Sequence, residues 1–442
     1  MPIKLKSVRK RFSAASGILL FKEAIETFKI MSLMSSFLPA QKKRNQRNVA
    51  KIEQLILVMV AGADCLDDMR DYGNDLAFEA LFDGSKVYSP KAIADLLRSF
   101  SPQNSRQFNQ ALIKTAYAQR LQAKPSRKSI IFDIDSTSNP QSAKKMEGVT
   151  YNYKGILGLD TIHVFDELGL QYWSDVRPGN THTAKDSQLI VHEVLQQLPL
   201  KLRGHSPLFR ADSGYCKTAF FNACAAKGAQ FVVCMRSLMY RPLISQVSDW
   251  ETQSVDDPDR VLMLGGRECE IGETVYRSKH CPFDMRVIIL RTEKEGQEGL
   301  LFEEEDKYEY RAWVTTLEAS VKPREAVKIY QKRGHAENFI KEAKYGFDMK
   351  HYPLQKLNAN RAFGTAAAFA YNLIRFVALL DNPERPRFAK AIRKRFVQIP
   401  CQVVRHAREI CFNFMDDHFK EVNYWLKKIK NIKLVWATES PG

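Results

Sequence analysis

The chain has 442 residues, of which 45% are hydrophobic, 11% aromatic and 26% charged, a composition that excludes a disordered polymer and predicts about two to four domains with sizeable cores. A surplus of 67 Lys and Arg over 50 Asp and Glu gives a formal charge of +17 and an isoelectric point near 9.4, so nucleic acid is the first partner to expect. The eight cysteines form no C-x-x-C pair and no zinc-type grouping with His, which argues against a disulfide framework or a zinc site and predicts reduced thiols in the cytosol.

The charge is uneven. Residues 1–50 carry eleven Lys or Arg (Lys4, Lys6, Arg9, Lys10, Arg11, Lys22, Lys29, Lys42, Lys43, Arg44 and Arg47) against only Glu23 and Glu26. From about 19 to 125 apolar residues recur at helical spacing, as at Ile52, Leu55, Ile56, Met59 and Val60, so residues 1–125 read as a basic helical DNA-binding region. Asp64, Asp67, Asp68 and Asp71 within it read as a solvated face rather than a metal site. The N-terminal MPIKLKSVRKRF lacks the apolar core of a signal peptide. The run at 55–63 is too short to span a bilayer. That at 363–380 is long enough but contains Asn372 and Arg375, so a buried helix is expected and no membrane partner.

The pattern changes at 128–140, KSIIFDIDSTSNP, where a β-branched and aromatic run ends in Ser, Thr, Asn and Pro, as a strand entering a loop does. Strands follow at 160–166 and 170–177, completing a three-strand meander that Arg177-Pro178-Gly179-Asn180 ends. Next come a helix at 184–199, a strand at 206–212, a helix at 216–228 closed by Gly228, and a strand at 230–236. The order is β-β-β-α-β-α-β. Short alternating runs then predict a mostly β insertion over 238–316. Helical periodicity resumes near 322, with Pro323 in the first turn, and from 356 on the chain reads as helical and basic. The predicted division is therefore 1–125, a core over 126–237, the insertion over 238–316, the rest of the core over 317–385, and a basic helical region over 386–442.

The chemistry concentrates in three places. On the first strand, period two sets Ile130, Phe132 and Ile134 on one face and Ile131, Asp133 and Asp135 on the other. A carboxylate buried there requires a cation or a metal. Asp212 ends another strand and is followed by a Ser213-Gly214 turn; capping the next helix is its alternative role. Read as one continuous helix, the segment around 330–344 gathers Tyr330, Arg333, Glu337 and Lys344 into a sector of about 60°, beside an apolar sector of Ile329, Ala336, Phe339, Ile340 and Ala343. An ordinary Arg333–Glu337 surface pair gives the same pattern.

Together these features resemble a known family. The element order with a late acidic helix is similar to the RNase H-like fold of retroviral integrases and DDE transposases. Tyr330-x2-Arg333-x3-Glu337-x6-Lys344 matches the Y-(2)-R-(3)-E-(6)-K signature of a large superfamily of bacterial insertion-sequence transposases, and DIDST and RADSGY resemble its first and second acid boxes. The resemblance implies an α/β fold: an RNase H-like mixed sheet flanked by helices, interrupted by the β insertion, with a helical N-terminal region and a helical C-terminus. It implies a DDE-type transposase in which Asp135, Asp212 and Glu337 are catalytic and hold Mg²⁺ or Mn²⁺, two ions per active site. Tyr330, Arg333 and Lys344 become contacts to DNA phosphate, and Asp133 a supporting group behind the ligands. The implied partners are double-stranded DNA, as transposon ends and target, and a second copy of the chain on paired ends. The implied location is the bacterial cytoplasm, on the nucleoid when DNA is bound. Trp250 and Trp313 read as packing residues, with stacking on a displaced base as the alternative. An inactive DNA-binding relative and an RNase H-like nuclease without strand transfer remain alternatives.

Overall fold

The computed structural model describes residues 3, 11–39, 45–124, 129–252, 262–264, 266–294, 307–406 and 409–434. Lys4, Lys6, Arg9, Lys10, Lys42, Lys43 and Arg44 of the basic N-terminal surplus lie outside the described residues. A short strand, β1 (Phe12–Ser13), precedes six helices: α1 (Ile18–Thr27), α2 (Ile30–Ser35), α3 (Asn45–Ala61), α4 (Leu76–Leu81), α5 (Pro90–Arg98) and α6 (Pro102–Ala123). The helix starts follow from local chemistry. Ser89 and Ser101 each accept a backbone N–H of the first turn, each is followed by Pro, and Asn104 completes a capping box with Ser101. Near the end of α6, Arg120 donates to Asp166 at 2.7 Å and to Glu167 at 2.6 Å, which ties the helical region to the sheet.

The sheet is mixed and, among the described residues, ten-stranded. Its first strands are β2 (Ile131–Pro140), β3 (Thr150–Tyr151), β4 (Leu157–Asp166) and β5 (Gln171–Pro178). β2 and β5 flank β4 as an antiparallel meander, and the two-residue β3, which the sequence pattern does not reveal, pairs with the start of β4. After α7 (Ser187–Gln196), β6 (Leu208–Ala211) lies parallel to β2. After α8 (Thr218–Ala225), β7 (Gln230–Cys234) lies parallel to β6.

Beyond the helix α9 (Ser237–Ile244), the insertion contributes β8 (Trp250–Glu251), β9 (Met263–Leu264), β10 (Arg267–Glu268), β11 (Glu270–Tyr276), β12 (Met285–Glu293) and β13 (Tyr308–Thr315). β9 and β10 form a separate pair, whereas β13, β12, β11 and β8 continue the central sheet outward from β7. The insertion thus lengthens the sheet that carries the acids.

Two expectations are corrected here. The helix expected from 322 onward is two helices, α10 (Pro323–Gln331) and α11 (Gly334–Gly346). Across Lys332 and Arg333 the backbone bonds tighten to i→i−3, with Arg333 N–H donating to Tyr330 O at 2.8 Å and Ala336 N–H to Arg333 O at 2.9 Å, next to the poor helix former Gly334. The C-terminal region is also not wholly helical. After α12 (Leu357–Asp381) and α13 (Ala389–Ile392), the strands β14 (Cys401–His406) and β15 (Glu409–Asn413) form a hairpin before α14 (Asp416–Lys430). β14 also pairs with β1, joining the two ends of the chain in one three-stranded sheet. The Val403-Val404 pair and the alternating Ile410 and Phe412 favour this extended pairing over a helix.

Helix α12 contains the long apolar run. It is long and apolar enough to cross a membrane, yet 94% of its apolar window is buried inside the protein. Its polar residues face the edge strand: Asn372 accepts from Gln171 N–H at 2.8 Å and donates to Gln171 C=O at 2.7 Å, and Arg375 donates to Leu168 C=O at 2.7 Å. Asn372 therefore acts as the next strand would. Replacing it with Leu leaves both backbone groups of Gln171 buried and unpaired, at about 1–3 kcal/mol each. Asn372→Leu should lower the urea midpoint accordingly; a wild-type midpoint would contradict the role.

Candidate active site

Parallel pairing of β2 with β6 sets Asp133 opposite Arg210 and Ile134 opposite Ala211, so Asp135 and Asp212 come next on their two strands. Alternation puts Asp133 and Asp135 on one face, and Arg210 and Asp212 on the same face. The two acids of β2 have different fates. Asp133 is 1% exposed and accepts both arms of Arg210, Nε at 2.7 Å and Nη2 at 2.6 Å. The same guanidinium donates to the Ile329 carbonyl of α10 at 2.8 Å. Burial pushes the Asp133 carboxyl up in spite of that guanidinium.

Asp135, one step nearer the strand end, accepts Arg333 Nη1 at 2.9 Å and the Ser136 N–H at 2.8 Å. Its pKa is pushed up to about 6, chiefly by burial and further by the charge of Asp212, with Arg333 opposing. Asp212 starts the tight turn Ser213–Tyr215 and accepts Gly214 N–H at 2.9 Å; it does not cap the next helix, α8, whose N-cap position is Lys217, so the expected capping role is confined to that turn. Glu337 lies exposed in the first turn of α11, and Arg333 Nη2 reaches its carboxylate at 3.4 Å. Arg333 therefore bridges Asp135 and Glu337.

The sector expected to collect Tyr330, Arg333, Glu337 and Lys344 divides: Tyr330 stays beside Arg333, whose guanidinium lies 5.9 Å from its ring centre, but turns into the core. Tyr330 is 5% exposed and packs on Trp313 with ring centres 5.7 Å apart; burial raises its pKa to about 12. Lys344 donates to Thr137 Oγ1 at 2.7 Å and to Ser138 C=O at 3.0 Å, fastening α11 to the end of β2. Burial lowers the Lys344 pKa to about 8. The structure thus brings together Asp135, Asp212, Arg333 and Glu337, while Tyr330 and Lys344 are engaged by protein groups. Trp313 is core, and Trp250 lies half-buried under the Arg291 guanidinium, 4.1 Å from its ring centre. Asp68 accepts the N–H groups of Asp64 and Cys65, closing a local turn in the N-terminal acidic stretch.

Arg210 is the residue the sequence reading missed. Its signal was present: it lies two residues before Asp212, as Asp133 lies two before Asp135. Only the parallel register shows that these positions face each other.

The donor set fits a hard divalent ion. Two carboxylates stand side by side where the pairing of β2 with β6 ends, and burial together with Asp212 pushes the Asp135 carboxyl up to about 6 against the opposing charge of Arg333. Among the described residues no group of three or more His, Cys, Asp and Glu is close enough to hold a metal, and Arg333 stands between two of the three acids.

A mixed sheet between helices, with acids on two adjoining strands and a third on a facing helix, defines a mixed α/β protein. The family described as Transposase DDE domain group 1 matches residues 2–433, nearly the whole chain, and the chain belongs to that family. Among solved structures, the cryo-EM structure of a piggyBac transposase synaptic complex with hairpin DNA is similar, with 12% identity and a TM-score of 0.45 over 96% of this chain and 86% of that one. No curated protein matches the sequence.

The two acids of β2 should separate in stability measurements. Asp133→Ala leaves Arg210 buried without its partner and should cost about 3–5 kcal/mol in urea unfolding. The folded pKa of Asp135, about 6, lies above its ordinary 3.8. Its stabilising contribution is therefore present at low pH and lost as pH rises through about 6. Without metal, Asp135→Asn should match or exceed wild-type stability above that pH. An Asp135→Asn variant as damaged as Asp133→Ala would contradict this assignment.

Proposed function

We propose that the protein binds the terminal inverted repeats of its own insertion sequence, cuts the DNA there and joins the freed 3′-ends to a target. The observation that carries this assignment is the adjacency of Asp135 and Asp212 just past the last paired residues of β2 and β6, with Arg333 linking Asp135 to Glu337. Asp135, Asp212 and Glu337 would hold the divalent ions, two per site with Mg²⁺ or Mn²⁺ as the candidates, which supply Lewis acidity to the attacking hydroxyl and the leaving oxygen of an in-line displacement at phosphorus.

The remaining groups position and balance charge. Arg333, already poised between two carboxylates, is the cation on the active-site surface suited to bidentate contact with a phosphate. Lys344 and Tyr330 hold α11 and α10 against the sheet, so their contribution to phosphate binding is indirect unless DNA rearranges them. The Asp133–Arg210 pair fixes the strand ends beneath the acids. The basic helical region before β2 supplies the surface for end recognition, and a second copy of the chain would bridge two ends.

The test uses duplex DNA from the flanks of the coding region, which should contain short inverted repeats. With Mg²⁺ the wild-type protein should nick it at the repeat boundary and join pre-cut 3′-ends to a plasmid. Glu337→Gln should reduce cutting by several orders of magnitude while end binding stays within about twofold, because the removed charge acts in the transition state. Wild-type cutting by that variant would overturn the assignment of Glu337. Cutting without any joined product would point to a nuclease instead.

A further inference from the structure

A groove of about 720 Å³ opens beside Asp212 and runs to the turn between β3 and β4. Its near end is lined by Ser136 and Asp212, and its far end by Tyr153 and Lys154. Tyr153 is 90% exposed, an unusual amount of aromatic surface to leave in water. Its turn is firmly built. Asn152 Oδ1 accepts the N–H groups of Lys154 at 2.9 Å and Ile156 at 3.0 Å, and Asn152 Nδ2 donates to Ser138 Oγ at 2.8 Å, anchoring the turn to β2. Gly155, at φ 72°, takes the left-handed position that the tight reversal needs. Behind it, a Cβ on Gly179 would lie 2.2 Å from Gly158 O and 2.5 Å from Thr150 O, so the backbone there is packed without slack.

The charges along the groove have a sense. Asp160 in its lining is paired with Arg177, whose Nε lies 2.7 Å away. Lys154 rests 5.5 Å from the Tyr153 ring centre, and Arg236, held by Ser213 C=O at 3.1 Å, borders the groove beside Asp212. An exposed ring on an anchored turn, a cation beside it, a second cation at the Asp212 end and a wall of hydroxyls match an unpaired nucleic-acid strand: bases stack on aromatic faces and phosphates follow cations. A duplex offers its bases only by their edges and does not present a face to Tyr153.

We propose that this groove binds the single-stranded nucleotides next to the scissile phosphate, with Tyr153 stacking on a base and Lys154 and Arg236 taking phosphates. The proposal rests on the DNA-processing role assigned above. It adds the path of one strand and a residue that positions it.

The test titrates the full-length protein against a fluorescein-labelled oligodeoxythymidylate, and separately against one carrying 2-aminopurine, whose fluorescence is quenched by stacking. Tyr153→Ala should weaken single-strand binding by about tenfold and relieve the quenching, whereas Tyr153→Phe, which keeps the ring face, should stay within about twofold of wild type. Lys154→Ala should flatten the dependence of log affinity on log salt by about 0.7. Wild-type affinity and quenching in Tyr153→Ala, a Tyr153→Phe variant as weak as Tyr153→Ala, or a wild-type protein that does not bind the strand would each overturn the proposal. Metal-dependent cutting of end duplexes is followed in parallel. Absence of cutting by the wild type removes the transposition assignment, whereas normal cutting with an unaltered titration removes only the groove.

Discussion

The parallel alignment of β2 with β6 is the constraint on which the candidate site depends. Two short strands far apart in sequence have to meet in one register, and a slip of one residue would turn every side chain to the opposite face. The buried Asp133–Arg210 pair locks that register. It satisfies two charges that neither strand could bury alone, and through the Ile329 carbonyl it also fixes the end of α10. A buried ion pair of this kind is weak evidence for net stability and stronger evidence for specificity, since alternative registers would leave both charges stranded. Because Asp133 and Arg210 are matched, Asp135 and Asp212 come side by side where the pairing of β2 with β6 ends.

Arg333 organises the next level. It sits at the tightened joint between α10 and α11, which carries it toward Asp135 while leaving Tyr330 in the core against Trp313. Its guanidinium stands between Asp135 and Glu337 and offsets the charge of both. Burial and Asp212 still hold Asp135 near pH 6. Such a site is incompletely neutralised and therefore suited to accept further positive charge. Lys344 adds a mechanical link by fixing the far end of α11 to Thr137 and Ser138, just past the acids on β2.

The surrounding layers explain how the sheet keeps its position. α12 covers β5 with an almost wholly buried surface, and its Asn372 and Arg375 substitute for missing strand partners. Arg120 of α6 grips the meander through Asp166 and Glu167. The first and last described parts of the chain join in the small sheet of β1, β14 and β15. The insertion strands extend the central sheet from β7, so the acid-bearing strands β2 and β6 lie in its interior.

Much of this was legible in the amino-acid order because it rests on local periodicity. The meander, the alternation around Asp133 and Asp135, the turn after Asp212, the capped helices α5 and α6, and the burial of the 363–380 run all follow from spacing within a few residues. What spacing left open was which acid of β2 is engaged: the choice between Asp133 and Asp135 turns on Arg210, which is remote in sequence and becomes a neighbour only through strand pairing. The break at Lys332–Arg333 was also hidden, since ideal helical phasing put Tyr330 and Lys344 on one face, whereas packing against Trp313 and Thr137 gives them separate places. The β14–β15 hairpin lies in a stretch whose flanking segments are helical, and it is held by five residue pairs of its own with β1 added at its edge. Short-range patterns specify elements, and long-range pairing alone decides which side chains meet.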